Sequence, residues 1–122
     1  MLFRSFLLNG PNTILSHNSM IYIIESQVDY ILQALDAAAG GTIEATPEAQ
    51  DAWVAHGAAL AEGTLFDQAD SWYIGANIPG KPRVFMPYLG GVDVYQSKCR
   101  EVAENGYRSF ALGASDPVAV TA

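Results

Sequence analysis

The sequence predicts an α+β protein with about three helices, two or three short strands and one long irregular segment. Three observations lead there. Apolar residues recur at helical spacing in three separate stretches, each followed by glycine. Short runs suited to strands lie between and beyond those stretches. The block SWYIGANIPGKPRVFMPYLGG, residues 71–91, follows neither period and carries four glycines, three prolines and four aromatic rings.

In chain order, the apolar run 2–8 is cut off by Asn9-Gly10-Pro11 and predicts a buried strand entering a turn. A helix is predicted over roughly 18–38, with Asn18 or Ser19 as N-cap. Ile21, Ile24, Val28, Ile31, Leu32 and Leu35 form its apolar side, Glu25, Asp29, Gln33 and Asp36 its polar side, and Gly40-Gly41 its stop. Residues 42–45 suit a brief strand. Thr46-Pro47-Glu48 then reads as a helix start: a capping hydroxyl, a proline in the first turn and an acid at the positive dipole end. That second helix is predicted over 47–61, with Ala49, Trp53, His56 and Leu60 on one face.

Residues 64–89 read as largely irregular, and a structureless stretch of that length inside a small domain needs a reason. Either it is functional, or it packs on something outside this chain. Gly90-Gly91 introduces a third helix over 91–105, where Val92, Tyr95, Cys99 and Val102 repeat on one side and Asn105-Gly106 closes the element. The alternation over 107–112 predicts a last strand. Residues 1–112 are expected to form one domain, with 113–122 a frayed tail.

Composition narrows the functional classes. At 122 residues, half of them hydrophobic, the chain can bury one modest core. A formal charge of −7 argues against nucleic acid and anionic membrane surfaces as partners, since both require a basic face. Up to Asp70 there is one base, Arg4, against nine acids; from Ser71 onward there are five bases against four acids. The near-neutral second half is therefore the better place for contact with an anionic small molecule, although charge asymmetry of this size is equally common without one. Cys99 is the single cysteine, so no internal disulfide forms and a reducing cytoplasm is the expected compartment. Its place on an apolar helical stripe predicts packing rather than nucleophilic chemistry. The first residues make too short an apolar run for a signal peptide, and no stretch reaches membrane-span length.

The search for chemistry excludes more than it finds. No glycine motif of the dinucleotide or phosphate-loop type occurs. His17 and His56 stand 39 positions apart, with no ligand-spaced Cys, Asp or Glu around either. Asp67 and Asp70 read as a solvated rim, and no GxSxG elbow supports a nucleophile. Two features remain open to a ligand. The passage GPNTILSHNSM, 10–20, feeds a helix N-terminus whose free N–H groups suit an electron-rich edge, although capping alone explains it equally well. Trp72 and Tyr73, followed by Lys81 and Arg83, suit a nucleotide or a carboxylate, and equally a surface loop packed on its own aromatics.

SWYIGANIPGKPRVFMPYLGG with YQSKCREVAENGYRSFAL closely resembles the carboxy-terminal segment of the Baeyer–Villiger monooxygenases, flavoproteins of the cyclohexanone and phenylacetone monooxygenase kind. FLLNGPNTILSHNSMIYIIESQVDYIL resembles the late part of their FAD domain, with Glu25, Gln27, Tyr30 and Ile31 on the corresponding helix. GPNT and PEAQDAW at 47–53 resemble members acting on aryl ketones, and the likeness covers about residues 2–112. It implies part of an FAD domain rather than a complete doubly wound one.

It also implies an enzyme that uses NADPH, FAD and oxygen to insert an oxygen atom beside a ketone carbonyl. Trp72 corresponds to a tryptophan on a mobile loop that orders over NADP, with 67–83 as part of that loop. Leu15, Ser16 and His17 correspond to substrate-side positions, and Ser19 and Met20 to positions beside the flavin. The family's FxGxxxHxxxW fingerprint and its catalytic arginine are absent from this sequence, as are both cofactor glycine motifs. No catalytic or metal-binding residue is therefore assigned. The chain alone is expected to be inactive and to hold neither FAD nor NADP. Its expected partner is the missing amino-terminal portion of such an enzyme. The alternative is a self-associating binding or assembly module, a homo-oligomer such as a dimer, that reuses the fold.

Overall fold

The element order is α1 (Met20–Ala38), β1 (Thr42–Ala45), α2 (Pro47–Ala61), the single-turn α3 (Leu65–Gln68), a 3-10 turn (Trp72–Ile74), α4 (Gly91–Glu104) and β2 (Phe110–Gly113). The structure, a computed structural model, describes residues 5–15 and 18–114, with Asp67 by its backbone only. Ser16, His17, the start of the run 2–8 and most of the tail 113–122 lie outside the described residues.

The three long helices form where the apolar spacing and caps place them. Thr46 caps α2, its Oγ1 accepting from the Ala49 N–H at 3.2 Å, with Pro47 in the first turn. α1 ends at Ala38, two residues before the glycine pair, because Ala39 itself turns left-handed at φ 48° and donates to the Asp36 carbonyl. An alanine in that conformation is strained, since its Cβ crowds the carbonyl that follows.

The sheet has two strands, β1 and β2, antiparallel, with Thr42 opposite Gly113 and Ala45 opposite Phe110. β2 begins three residues later than the alternation over 107–112 predicts. Tyr107 sits at φ 56° and donates its N–H to the Val102 carbonyl, so it closes α4 instead of opening the strand. Within the run 2–8, residues 5–8 are not strand. Over 64–89 only α3 and the 3-10 turn are regular.

Among the described residues, two clusters make the core. Leu15, Ile23, Tyr88 and Tyr95 form the first, with Trp53, Leu60, Val92 and Cys99 packed against them. Ala61, Ile74 and Phe85 form the second, with Phe66, Tyr73, Ala76 and Leu89 around them. α4 thus turns the side predicted for it inward, and Cys99 is half-buried among apolar neighbours.

α1 differs from its prediction. Its buried residues are Ile23, Gln27, Ala34 and Ala38. Of the stripe predicted to face the core, Ile21, Ile24, Val28, Leu32 and Leu35 are exposed, Ile21 at 71% and Leu32 at 55%. The helix has an apolar arc wide enough for two neighbours, and the described residues cover one half of it.

Candidate functional site

The loop before α1 is held in place by one buried side chain. Gln27, 4% exposed, accepts from the Asn9 N–H through Oε1 at 2.9 Å and donates from Nε2 to the Thr13 carbonyl at 3.3 Å. A buried amide this close to a loop is satisfied by that loop's backbone, and fixes its path. The indole N–H of Trp53 donates to the Asn12 carbonyl at 3.2 Å, tying the same loop to α2.

The loop then pairs with the segment 84–88. The Asn12 N–H donates to the Met86 carbonyl at 2.6 Å, the Tyr88 N–H to the Ile14 carbonyl at 2.7 Å, and Leu15 and Tyr88 form a parallel bridge. The same segment also bonds the 3-10 turn: the Met86 N–H donates to the Tyr73 carbonyl at 3.0 Å and the Val84 N–H to the Ile74 carbonyl at 3.2 Å. Three short segments, 12–15, 84–88 and 72–74, thus make one hydrogen-bonded layer.

Aromatic packing anchors both margins of this layer. Tyr88 is 1% exposed, stacks on Trp53 with centroids 5.2 Å apart, and its hydroxyl lies 3.0 Å from His56 Nε2. Burial raises the Tyr88 phenol above its usual range. Gly90 must lack a side chain, because a Cβ there would lie 2.5 Å from the Tyr88 hydroxyl oxygen. At the other margin, Ser71 caps the 3-10 turn by accepting from the Tyr73 N–H, and Gly75 ends it at φ 72°. Trp72 stacks on Tyr73 with centroids 4.0 Å apart and remains 68% exposed. That leaves one indole face as a platform for a flat or ribose-like group. Arg83 pairs with the Asp70 carboxylate at 2.6 Å on the open surface, a contact that solvent weakens.

The residues singled out in the sequence fall as follows. Leu15 is buried in the first core beside Tyr88, and Trp72 lies in the 3-10 turn that bonds the same segment 84–88. Ser19 is the N-cap residue of α1 but makes no side-chain cap bond, and Met20 is exposed at the first turn. Ser16 and His17 lie outside the described residues. Among the described residues, no group of three His, Cys, Asp or Glu could hold a metal ion, and no helix is long and apolar enough to cross a membrane.

No family model matches the chain. Curated relatives do. An acetone monooxygenase (methyl acetate-forming) of Gordonia sp. (strain TY-5) is 41% identical over 97 residues, 77% of this chain and 18% of its own length. A Baeyer–Villiger monooxygenase of Pseudooceanicola batsensis is 40% identical over 108 residues, 86% of this chain and 19% of its own. The solved structure of an oxidized steroid monooxygenase bound to NADP superposes with a TM-score of 0.72 at 41% identity, over 86% of this chain and 19% of its own. This chain is homologous to one segment of the Baeyer–Villiger monooxygenases. It spans about a fifth of the length of the relatives it matches.

Sequence reasoning missed much of what builds this monooxygenase-like layer. Gln27 drew notice only as part of a resembling helix face, although a lone amide amid Ile23, Tyr30 and Ala34 is itself the mark of a buried, paired group. His56, on the predicted α2 face with Ala49, Trp53 and Leu60, stands half-buried. Its partner Tyr88, 32 positions away, carries no local signal.

Proposed function

We propose that this chain provides the cofactor-side and substrate-side loops of an NADPH- and FAD-dependent Baeyer–Villiger-type monooxygenase and works only together with a portion that holds the cofactors. The reaction consumes a ketone, O2, NADPH and a proton. It yields an ester or lactone, NADP+ and water, one oxygen atom going into the carbon–carbonyl bond. The flavin, when bound, supplies the oxygen-activating chemistry. This chain's own residues bind and position.

The observation that carries the reading is the shared layer. Segment 84–88 holds both the Trp72 turn and the loop leading to Leu15. Trp72 offers its free face to the nucleotide, while Tyr88 and Gln27 keep the loop before α1 in register. Ser19 and Met20, exposed at the α1 N-terminus, border the flavin side, where helix N–H groups suit an electron-rich ring edge. Pyrophosphate binding falls to the cofactor-holding portion, because this sequence has no glycine motif to cradle it.

The test is complementation. The Pseudooceanicola relative, deprived of its matched segment, is co-expressed with this chain and assayed for ketone-dependent NADPH oxidation and ester formation. Activity is expected from the pair and from neither part alone. Trp72→Ala in the restored pair should raise the KM for NADPH without removing bound flavin. A flavin-loaded pair that never oxidises NADPH in the presence of ketone would refute the reading, as would ketone oxidation by this chain alone.

A further inference from the structure

α1 has two apolar sides, and the described residues cover only one of them. Ile23, Gln27, Ala34 and Ala38 face this chain's own core. Ile21, Ile24, Val28, Leu32 and Leu35 form a second stripe that runs the length of the helix in the open. A continuous row of five large apolar side chains is more than the scattered exposure normal for a protein surface.

Charge indicates what covers it. Glu25, Asp29 and Asp36 border the stripe on the side away from the core, and α1 carries no lysine or arginine. Two copies of the helix laid antiparallel along this stripe would set each acidic border against its own duplicate, within chains of charge −7. In a parallel arrangement, the acids of one copy would face the Gln27 and Ala34 side of the other, which its own core already occupies. The charge pattern instead complements an apolar face with a basic border. The relatives that match this chain over 77% and 86% of its length have some four-fifths of their own chains outside the match.

We propose that the exposed stripe of α1 is the docking surface for the cofactor-holding portion of a Baeyer–Villiger-type monooxygenase, which meets it with an apolar face bordered by basic side chains. This rests on the reading given under Proposed function, and names the contact by which the two parts assemble. The stripe supplies the desolvated centre, and the acids supply orientation and a salt-sensitive approach.

The experiment is a binding titration that does not depend on turnover. This chain is titrated against the Pseudooceanicola relative lacking its matched segment, by calorimetry and light scattering. A one-to-one complex is expected. Leu32→Asp should weaken it roughly a hundredfold, because an unpaired carboxylate is then buried at the contact. Glu25→Lys with Asp29→Lys should weaken it about tenfold and flatten its salt dependence. Gln33→Asp, off the stripe and beside its acidic border, should leave it no weaker. The proposal is overturned if Leu32→Asp binds as tightly as the parent. It is also overturned if the chain alone is a dimer that Leu32→Asp splits, or if two folded parts do not associate.

Where the shortened relative does not fold, the full-length relative carrying this chain's sequence in place of its matched segment replaces it. Leu32→Asp should then melt well below Gln33→Asp, and equal melting overturns the proposal. A complex that forms but stays inactive defeats the functional reading and leaves the docking surface standing. Restored activity indifferent to Leu32→Asp does the reverse.

Discussion

Replacing Gln27 tests whether one buried amide holds the loop before α1. Gln27→Ala removes an acceptor from the Asn9 N–H and a donor from the Thr13 carbonyl. Both bonds are partly buried, so each orphaned backbone group costs about 1 kcal/mol, and the two together about 2 kcal/mol. In a domain of this size that lowers Tm by roughly 6–12 °C. Gln27→Glu sharpens the test. A carboxylate still accepts from Asn9 but cannot donate to Thr13, whose carbonyl then faces a negative charge. Burial and that carbonyl raise the introduced carboxyl's folded pKa above its unfolded value. The variant should therefore be least stable at neutral pH and recover as pH falls and the acid regains a donor. Urea melts between pH 4 and 7, with hydrogen exchange at Asn9, provide the measurement. A Gln27→Ala midpoint within about 0.5 kcal/mol of the parent, or a Gln27→Glu variant indifferent to pH, would refute the assignment.

Other outcomes follow from single contacts. Gly90→Ala brings a methyl group against the Tyr88 ring and should cost about 1–3 kcal/mol by thermal melting, since the buried ring has little room to retreat. Ala39→Gly relieves a left-handed alanine at the end of α1 and should raise stability by about 0.5–1 kcal/mol, one of the few changes here expected to stabilise. The chain should be alkali-labile. Burial raises the Tyr30, Tyr95 and Cys99 pKa values above the ordinary 10.0 and 9.0, so the unfolded chain loses these protons first. Their contribution is present below pH 9 and is lost as pH rises beyond it, which urea melts from pH 8 to 11 should show. For the same reason Cys99 should react with a thiol reagent more slowly in the folded chain than in urea.

The helices were legible because caps and spacing are local. Thr46-Pro47-Glu48 fixes the start of α2 within a residue, and the side of α4 carrying Tyr95 and Cys99 is the side that packs. The outward stripe of α1 was not legible as outward. Spacing shows that Ile21, Ile24, Val28, Leu32 and Leu35 share a face, but not whether this chain brings anything to cover it. The start of the last strand differs from its prediction for a physical reason too. Aromatic alternation favours extension, yet Tyr107 takes a left-handed turn because the end of α4 needs its N–H at the Val102 carbonyl. At the site, Trp72 could be named from the sequence, whereas the pairing of 84–88 with two segments far from it in sequence could not. Backbone partners at that distance leave no trace in composition.

That pairing explains why the glycine- and proline-rich block is neither a linker nor a simple lid. Phe85 belongs to the second core and Tyr88 to the first, three positions apart. One short stretch of backbone therefore joins the two clusters while its N–H and carbonyl groups bond to two separate segments. A helix could not do this, because its backbone groups are spent internally. A strand of a regular sheet would demand matched neighbours on both edges, whereas 72–74 and 12–15 are too short and too bent to be that. Prolines at 79, 82 and 87 limit the conformations of the block, and Gly75 and Gly90 supply the turn and the clearance that the Trp72 turn and the Tyr88 ring require. The composition that reads as irregular in the sequence is what lets a segment without regular structure hold two loops and two cores at once.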